Sequence, residues 1–221
     1  MINIETYMSR LIDMLQAQFG ERLVYVGLQG SYLRGEATPK SDIDVMVVID
    51  GLTVCDLQTY RSIISSIGNF DRSCGFICSR EDLHYWNRLE LFNLLHGTKD
   101  YFGVLRDFLP PYTLDDIRSF IKMSVNNLYH EICHRYIHDN LNSNVRALPY
   151  TFKSVFYILQ NLYYLRSGVF VTTKAELLRC LDGMDYDILK RSIDYNNSSN
   201  FEFSESFELL FTWCQKVSSQ V

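Results

Sequence analysis

The sequence lacks several features that would tie it to a particular site or compartment. It has six cysteines but no C-x-x-C pair, so the ligand spacing of a zinc ribbon is missing. No apolar run is long enough to span a bilayer, and the first twenty residues show no apolar block behind a basic start. We therefore expect a cytoplasmic protein with reduced thiols, no signal peptide and no membrane partner.

An excess of basic residues is also missing. The net charge is −5 over 221 residues, whereas a protein that binds nucleic-acid duplexes needs a basic surface. We therefore expect no nucleic-acid partner. Hydrophobic residues make up 47% of the chain and charged residues 21%, as is typical of globular proteins that bury a core.

Pro110 and Pro111 separate two regions of different periodicity. Before them, strand-like and helix-like segments alternate, and after them the pattern is helical throughout, with Thr113 and Asp116 in a capping-box arrangement. We predict an α+β/α organisation, with a mixed-sheet domain and flanking helices at 1–109 followed by an all-α bundle at 110–221. The predicted strands are 22–28, 42–50 and 74–79, and the predicted helices include 81–97, 113–142, 147–168, 173–181, 185–193 and 204–217, with a loop at 194–200.

Two aspartates begin one of the predicted strands, in the stretch QGSYLRGEATPKSDIDVMVVID. Asp42 and Asp44 point to the same face because strand side chains alternate. The apolar run from Val45 to Ile49 indicates a central strand that is covered on both sides. Two neighbouring carboxylates repel each other unless a cation lies between them, and their hard oxygen atoms suit Mg²⁺.

A glycine and a serine follow the preceding predicted strand directly. Gly30 permits a tight turn there, and the backbone N–H groups after it can bind a phosphate. A phosphate-binding turn beside metal-binding carboxylates predicts chemistry on a nucleoside triphosphate.

The motif resembles the signature of the nucleotidyltransferase superfamily related to polymerase β. Gly30 and Ser31 are followed by ten residues and then by Asp-Ile-Asp. The likeness is greatest to minimal nucleotidyltransferases and to kanamycin-type aminoglycoside nucleotidyltransferases, which carry a helical C-terminal domain. The signature covers residues 29–50, and the order of predicted elements extends the resemblance to about residue 103. It implies a nucleotidyltransferase core in the first domain and a HEPN-like or substrate-binding bundle in the second.

The resemblance also implies roles for individual residues. Asp42 and Asp44 would be catalytic and bind the metal. The residues implied to contact the triphosphate are Gly30, Ser31, Arg34, Ser41 and, by analogy with lysines of related helical domains, Lys153.

The family pattern usually includes a third carboxylate on the next strand, but the segment CGFICS at 74–79 contains none. If a helical crossover makes the two strands parallel, Asp71 is the best-placed candidate for a third metal ligand. Glu81 would emerge at the far end of the strand, and Glu90 lies on a predicted helix. Without a third acid, the protein could bind a nucleotide and have no catalytic activity.

The second domain contains HEICH at 130–134, a literal H-E-x-x-H on a predicted helix. A zinc peptidase needs a third ligand, which the sequence does not supply, so we expect no stoichiometric zinc. The histidines are either a polar stripe on the bundle or part of a face turned towards the nucleotide, where Glu131 would take a proton from the acceptor.

These observations predict a Mg²⁺-dependent nucleotidyltransferase that uses ATP or another nucleoside triphosphate. It would move a nucleoside monophosphate, most simply AMP from ATP, to a hydroxyl of a small molecule such as an aminoglycoside-like acceptor. The alternatives are protein AMPylation, as in antitoxin-like nucleotidyltransferases, and a degenerate non-catalytic nucleotide-binding module. The sequence leaves the oligomeric state open.

Overall fold

A computed structural model describes residues 2–195 and 202–221 of the chain. It divides into two units, Met1–Tyr112 and Thr113–Val221. The predicted architecture is confirmed, with a mixed sheet and flanking helices in the first unit and helices in the second. Residues 196–200 of the predicted polar loop lie outside the described residues.

The first unit alternates helices and strands. In chain order its elements are α1 (Ile4–Phe19), β1 (Leu23–Leu28), α2 (Gly30–Leu33), β2 (Ile43–Ile49), α3 (Val54–Ile67), β3 (Ser73–Cys78), α4 (Arg80–His84), α5 (Arg88–His96) and β4 (Lys99–Phe102). The described residues of this unit form one four-stranded sheet in the order β3-β2-β1-β4. The β1 strand is antiparallel to β2 and β4, whereas β2 is parallel to β3, so the sheet is mixed.

The central strand β2 is apolar on both faces, which places it in the middle of the sheet. On one face, Val45 and Val47 belong to a buried cluster with residues of α1 and α3. On the other face, Met46 and Val48 pack with residues that include Leu83 of α4. Because strand side chains alternate, Asp44 lies on the same face as Met46 and Val48. It is the second residue of β2, near the start of the strand.

Two sequence predictions for the first unit are wrong. The helix predicted at 81–97 is two helices, because the side chains of Ser79 and Asn87 accept hydrogen bonds from backbone N–H groups in the first turns of α4 and α5. The sequence analysis also missed β4, a four-residue strand that pairs with β1. A strand this short gives little periodicity to recognise.

The described residues of the second unit form helices. These are α6 (Leu114–His138), α7 (Leu141–Thr151), α8 (Lys153–Ser167), α9 (Lys174–Cys180), α10 (Gly183–Asp194) and α11 (Phe203–Gln220). The predicted capping box of Thr113 and Asp116 is present at the start of α6. The single helix predicted at 147–168 is wrong, because this stretch contains the end of one helix and the whole of another. The first, α7, begins after its cap Asn140 and ends at Thr151, and α8 begins at Lys153. Within the described residues, none of the helices is both long and apolar enough to cross a membrane.

A buried carboxylate connects three helices of the second unit. Asp185 of α10 accepts hydrogen bonds from Arg166 of α8 at 2.8 Å, and from Trp213 and Lys216 of α11 at 2.9 and 3.2 Å. Burial alone would raise the pKa of Asp185, but these hydrogen bonds and the charge of Lys216 outweigh it and lower the pKa. A carboxylate whose pKa is lowered by folding stabilises the fold at pH values above its pKa in the unfolded state, which is about 4. This contribution is lost as the pH falls through the pKa of the folded state.

Replacing this carboxylate should destabilise the helical unit. In Asp185→Ala the indole N–H of the fully buried Trp213 loses its acceptor, so we expect a loss of about 2–3 kcal/mol in the free energy of unfolding. Asp185→Asn retains an oxygen acceptor and should lose less. Asp187→Ala, at an exposed position of the same helix, is the control and should change stability by less than about 0.5 kcal/mol in urea unfolding. Equal stabilities of Asp185→Ala and Asp187→Ala would contradict this assignment.

Candidate active site

The two aspartates of the motif lie together where β2 begins. Asp42 immediately precedes the strand and is exposed, whereas Asp44 is its second residue and is half-buried. The backbone N–H of Gln29, at the end of β1, donates to the carbonyl oxygen of Asp44 at 2.8 Å. The antiparallel pairing of β1 with β2 therefore brings the turn after β1 to the aspartates.

Gly30 lies directly against the carboxylate of Asp44. Its φ is +68°, and a Cβ built on it would lie 1.9 Å from Oδ2 of Asp44. Both the backbone conformation and the available space therefore require glycine. The short helix α2 begins at this residue, and first-turn N–H groups have no acceptor within their own helix. The turn thus brings the start of α2 next to a carboxylate, and the roles of Gly30 and Ser31 as phosphate contacts stay predictions.

The environment of Asp44 disfavours its charged form. Burial is the largest cause that raises the pKa of Asp44, and the negative charge of Asp42 raises it further. A hydrogen bond from Cys74 and the positive charge of Arg34 act in the opposite direction but do not cancel the increase. A divalent cation between the two carboxylates would reverse the repulsion, so this pair fits a metal ion.

Cys74 stands beside Asp44 on the neighbouring strand. The parallel pairing of β2 with β3 places Ile43 opposite Ser73 and Asp44 opposite Cys74. Burial, followed by the charge of Asp44, raises the pKa of the Cys74 thiol, so the thiol stays protonated and can donate to the carboxylate. The sequence analysis missed this residue, because finding it requires the register between two strands separated by a helix.

Asp71, the candidate for a third carboxylate, lies three residues before Cys74. It is exposed, in the 3₁₀ turn Phe70–Arg72 that leads into β3. The strand pairing thus places a thiol, and not Asp71, directly opposite Asp44. The role of Asp71 as a metal ligand stays a prediction.

The predicted triphosphate contacts Arg34 and Ser41 lie in or beside the loop between α2 and β2. Nε of Arg34 donates to Glu36 at 2.9 Å, and the influence of Arg34 on the pKa of Asp44 indicates that it is near the acid pair. The hydroxyl of Ser41 accepts from the backbone N–H of Thr38 at 2.8 Å. Their contacts with phosphate stay predictions.

One predicted residue of the second unit, Glu131, lines a shallow groove. Glu131 lines this groove with Arg135, Tyr150 and Ser154, and its carboxylate accepts from Nε of Arg135 at 3.0 Å. Nζ of Lys153 lies 5.0 Å from the ring centre of Tyr150. The roles of Glu131 as a base and of Lys153 as a phosphate contact stay predictions.

The three histidines of α6 form an exposed row, His130, His134 and His138. The ring centres are 6.0 Å apart for the first pair and 4.6 Å for the second. In the part of the chain that the structure describes, His, Cys, Asp and Glu side chains form no group of three or more that could hold a metal ion. The expectation of no stoichiometric zinc stays a prediction.

Replacing Gly30 should show how closely the turn approaches the carboxylate. Gly30→Ala combines left-handed strain with a steric clash, so we expect a loss of about 2–5 kcal/mol in the free energy of unfolding. Gly35→Ala is a matched control, because Gly35 has the same φ of +68° and no atom within 4 Å of a built Cβ. It should lose about 1–2 kcal/mol from backbone strain alone.

A second substitution separates the clash from the strain. Adding Asp44→Ala to Gly30→Ala removes the clashing carboxylate, so the double variant should be more stable than Gly30→Ala alone. Equal losses for Gly30→Ala and Gly35→Ala, with no recovery on removing the carboxylate, would contradict this packing.

The comparisons with known proteins identify the family and the fold of the chain. Residues 8–126, more than half of the chain, match the family described as nucleotidyltransferase domain. No curated protein matches the chain. Among solved structures, the crystal structure of spectinomycin adenyltransferase AAD(9) from Enterococcus faecialis with ATP and spectinomycin is similar, with a TM-score of 0.62 and 14% sequence identity. The likeness covers 97% of this chain and 99% of that one, and at this identity it shows the fold.

The family match includes the Gly30 turn, both aspartates and the whole of β2 and β3. The chain therefore belongs to the nucleotidyltransferase domain family.

Proposed function

We propose that this nucleotidyltransferase moves AMP from ATP to a hydroxyl group of a small molecule, in a reaction that depends on Mg²⁺. The observation that carries the proposal is the packing of the Gly30 backbone against the carboxylate of Asp44, whose pKa the charge of Asp42 helps to raise. The packing supports the proposal because it brings the start of α2, whose first N–H groups could bind a phosphate, next to a carboxylate that could bind a metal ion. The fold neighbour was solved with ATP and spectinomycin, which supports ATP and a small-molecule acceptor.

The ligand set around Asp42 and Asp44 suits Mg²⁺. This ion typically binds one or two carboxylates, several waters and the phosphates of the substrate. The pair Asp42 and Asp44 therefore fits a magnesium nucleotide better than a structural metal, and Asp71 stays the candidate for a third ligand. When bound, Mg²⁺ would offset the charges of the carboxylates and the triphosphate, and polarise the phosphate oxygens.

The proposed reaction is an in-line displacement at the α-phosphorus of ATP. The acceptor hydroxyl oxygen forms a bond to this phosphorus, the bond to the bridging oxygen of the β-phosphate breaks, and pyrophosphate leaves with the electron pair. In this proposal Gly30 and Ser31 bind phosphate through their backbone N–H groups, and Arg34, Ser41 and Lys153 supply further phosphate contacts. Glu131 takes the proton of the acceptor hydroxyl.

A second candidate is a nucleotide-binding module without transfer activity. It is favoured by Cys74, which faces Asp44 on the strand where the family resemblance leads one to expect a carboxylate. A protonated thiol is a poor ligand for Mg²⁺ and adds no negative charge. This candidate predicts Mg²⁺-dependent binding of ATP without release of pyrophosphate.

Removing both aspartates should abolish the metal dependence of nucleotide binding. We expect ATP to bind the wild-type protein more tightly with Mg²⁺ than with EDTA, and the variant Asp42→Asn with Asp44→Asn to bind equally in both, because its cation ligands are lost. Isothermal titration calorimetry measures both affinities. Asp50→Asn is the control, since Asp50 follows the other end of β2 and pairs with Arg80. Wild-type affinity for Mg-ATP in the double variant would show that the site is elsewhere.

The proposed role of Glu131 as a general base is tested by measuring AMP transfer, and not by measuring ATP binding. Glu131→Gln combined with His134→Ala should slow pyrophosphate release by about 10²–10⁴-fold, the usual contribution of a general base, and should leave ATP affinity unchanged. The assay uses each nucleoside triphosphate with a panel of aminoglycosides and hydroxyl metabolites. Glu208→Gln, at an exposed position of α11, is the control. Unchanged transfer in the double variant would exclude this base.

A further inference from the structure

Arg72 connects the two halves of the nucleotide site. Its Nε and Nη2 donate to the carbonyl oxygen of Ser41 at 3.0 and 2.5 Å, and Nη2 also donates to the hydroxyl of Tyr32 at 2.8 Å. Ser41 immediately precedes Asp42. Tyr32 belongs to α2, the short helix that begins at Gly30.

The backbone of Arg72 is itself well fixed. Its N–H donates to the carbonyl oxygen of Asn69 at 2.9 Å, which closes the 3₁₀ turn before β3. The next residue, Ser73, pairs with Ile43 at the start of β2. The guanidinium thus extends from the turn that leads directly into β3, and the loop between Tyr32 and Ser41 is held at both ends by one side chain.

We propose that Arg72 is a positioning residue of the nucleotide site, because its guanidinium holds Asp42 and the Gly30 turn in their mutual geometry. Arg72 touches neither carboxylate through a hydrogen bond in the described structure, and the charged neighbours that shift the pKa of Asp44 are Asp42 and Arg34. Arg72 therefore acts through the backbone of Ser41 and the hydroxyl of Tyr32. The expected effect on nucleotide binding rests on the proposed function, but the expected effect on loop order does not.

The geometry requires arginine at this position. A guanidinium presents several N–H donors in one rigid plane, so it can direct two donors to one carbonyl and still reach a hydroxyl. A lysine ammonium is a compact charge on a flexible chain and would hold the two acceptors less firmly. Arg72→Lys should therefore restore part of what Arg72→Gln loses.

Amide hydrogen exchange measures the loop order directly. In Arg72→Gln, the amides of residues 34–42 should exchange about tenfold faster than in the wild type, the factor expected from losing a charge-assisted hydrogen bond. Arg72→Lys should lie between the two, and Tyr32→Phe should accelerate exchange in the same segment by a smaller factor. The control is Arg61→Gln, since the Arg61 guanidinium lies over the Phe70 ring of the same 3₁₀ turn, at 5.0 Å. Wild-type exchange at 34–42 in both Arg72→Gln and Tyr32→Phe would overturn the proposal.

Nucleotide affinity provides the functional readout. Arg72→Gln should weaken Mg-ATP binding about tenfold and weaken the binding of ATP in EDTA by a smaller factor, with Arg72→Lys intermediate. Faster exchange with unchanged Mg-ATP affinity would overturn the positioning role and leave a purely structural one. If the wild type does not bind Mg-ATP, the proposed function fails, and the exchange data alone decide whether Arg72 holds the loop. If the amides of β1 and β2 also lose protection from hydrogen exchange in Arg72→Gln, that variant does not isolate the loop. The variants Tyr32→Phe and Arg72→Lys then provide the decisive comparison.

Discussion

The close approach of the Gly30 backbone to the Asp44 carboxylate is the constraint on which the rest of the site depends. It requires a residue without a Cβ at a φ of +68°, and it requires β1 and β2 to be antiparallel neighbours so that the turn after one strand meets the start of the other. Asp44 then lies on the face of Met46 and Val48 because strand side chains alternate, and Asp42 immediately precedes the strand. A sheet that is apolar on both faces fixes this register, since a slip by one residue would bury Asp44 in the cluster around Val45 and Val47.

Contacts between residues that are close in the sequence could be predicted, because they depend only on the spacing of those residues. Gly30, Asp42 and Asp44 lie within fifteen residues, and alternation along one strand is enough to place the two carboxylates together. The capping box of α6 was predictable for the same reason, since Thr113 and Asp116 are three residues apart. Local rules of this kind do not require knowledge of the sheet.

The neighbours of the aspartates across the sheet could not be predicted in the same way. Cys74 lies opposite Asp44 because of the register between β2 and β3, which are separated by α3, and that register depends on packing of the whole unit. The contacts of Arg72 with Ser41 and Tyr32 span 31 and 40 residues of sequence. The breaks between helices were missed for a different reason. Asn87 and Asn140 each cap a new helix, but the sequence on both sides of them keeps a helical periodicity that hides the break.

The thiol of Cys74 gives this nucleotidyltransferase site its particular character. A carboxylate at that position would add negative charge beside Asp44, whereas a protonated thiol donates a hydrogen bond that offsets part of the increase in the pKa of Asp44 caused by burial. In the proposed function, a cation bound by Asp42 and Asp44 would rely more heavily on the phosphates of the nucleotide for its remaining ligands. The metal affinity of the site should thus be strongly coupled to nucleotide binding, by the reciprocity that links two ligands of one site.

The most direct test of the central claim is a crystal structure with a non-hydrolysable ATP analogue and Mn²⁺, located by its anomalous scattering. We predict an Mn²⁺ peak that is coordinated by carboxylate oxygens of both Asp42 and Asp44 and by the triphosphate, with a phosphate oxygen accepting from the backbone N–H groups of Gly30 or Ser31. An analogue bound elsewhere, or an Mn²⁺ peak that neither aspartate coordinates, would contradict the account.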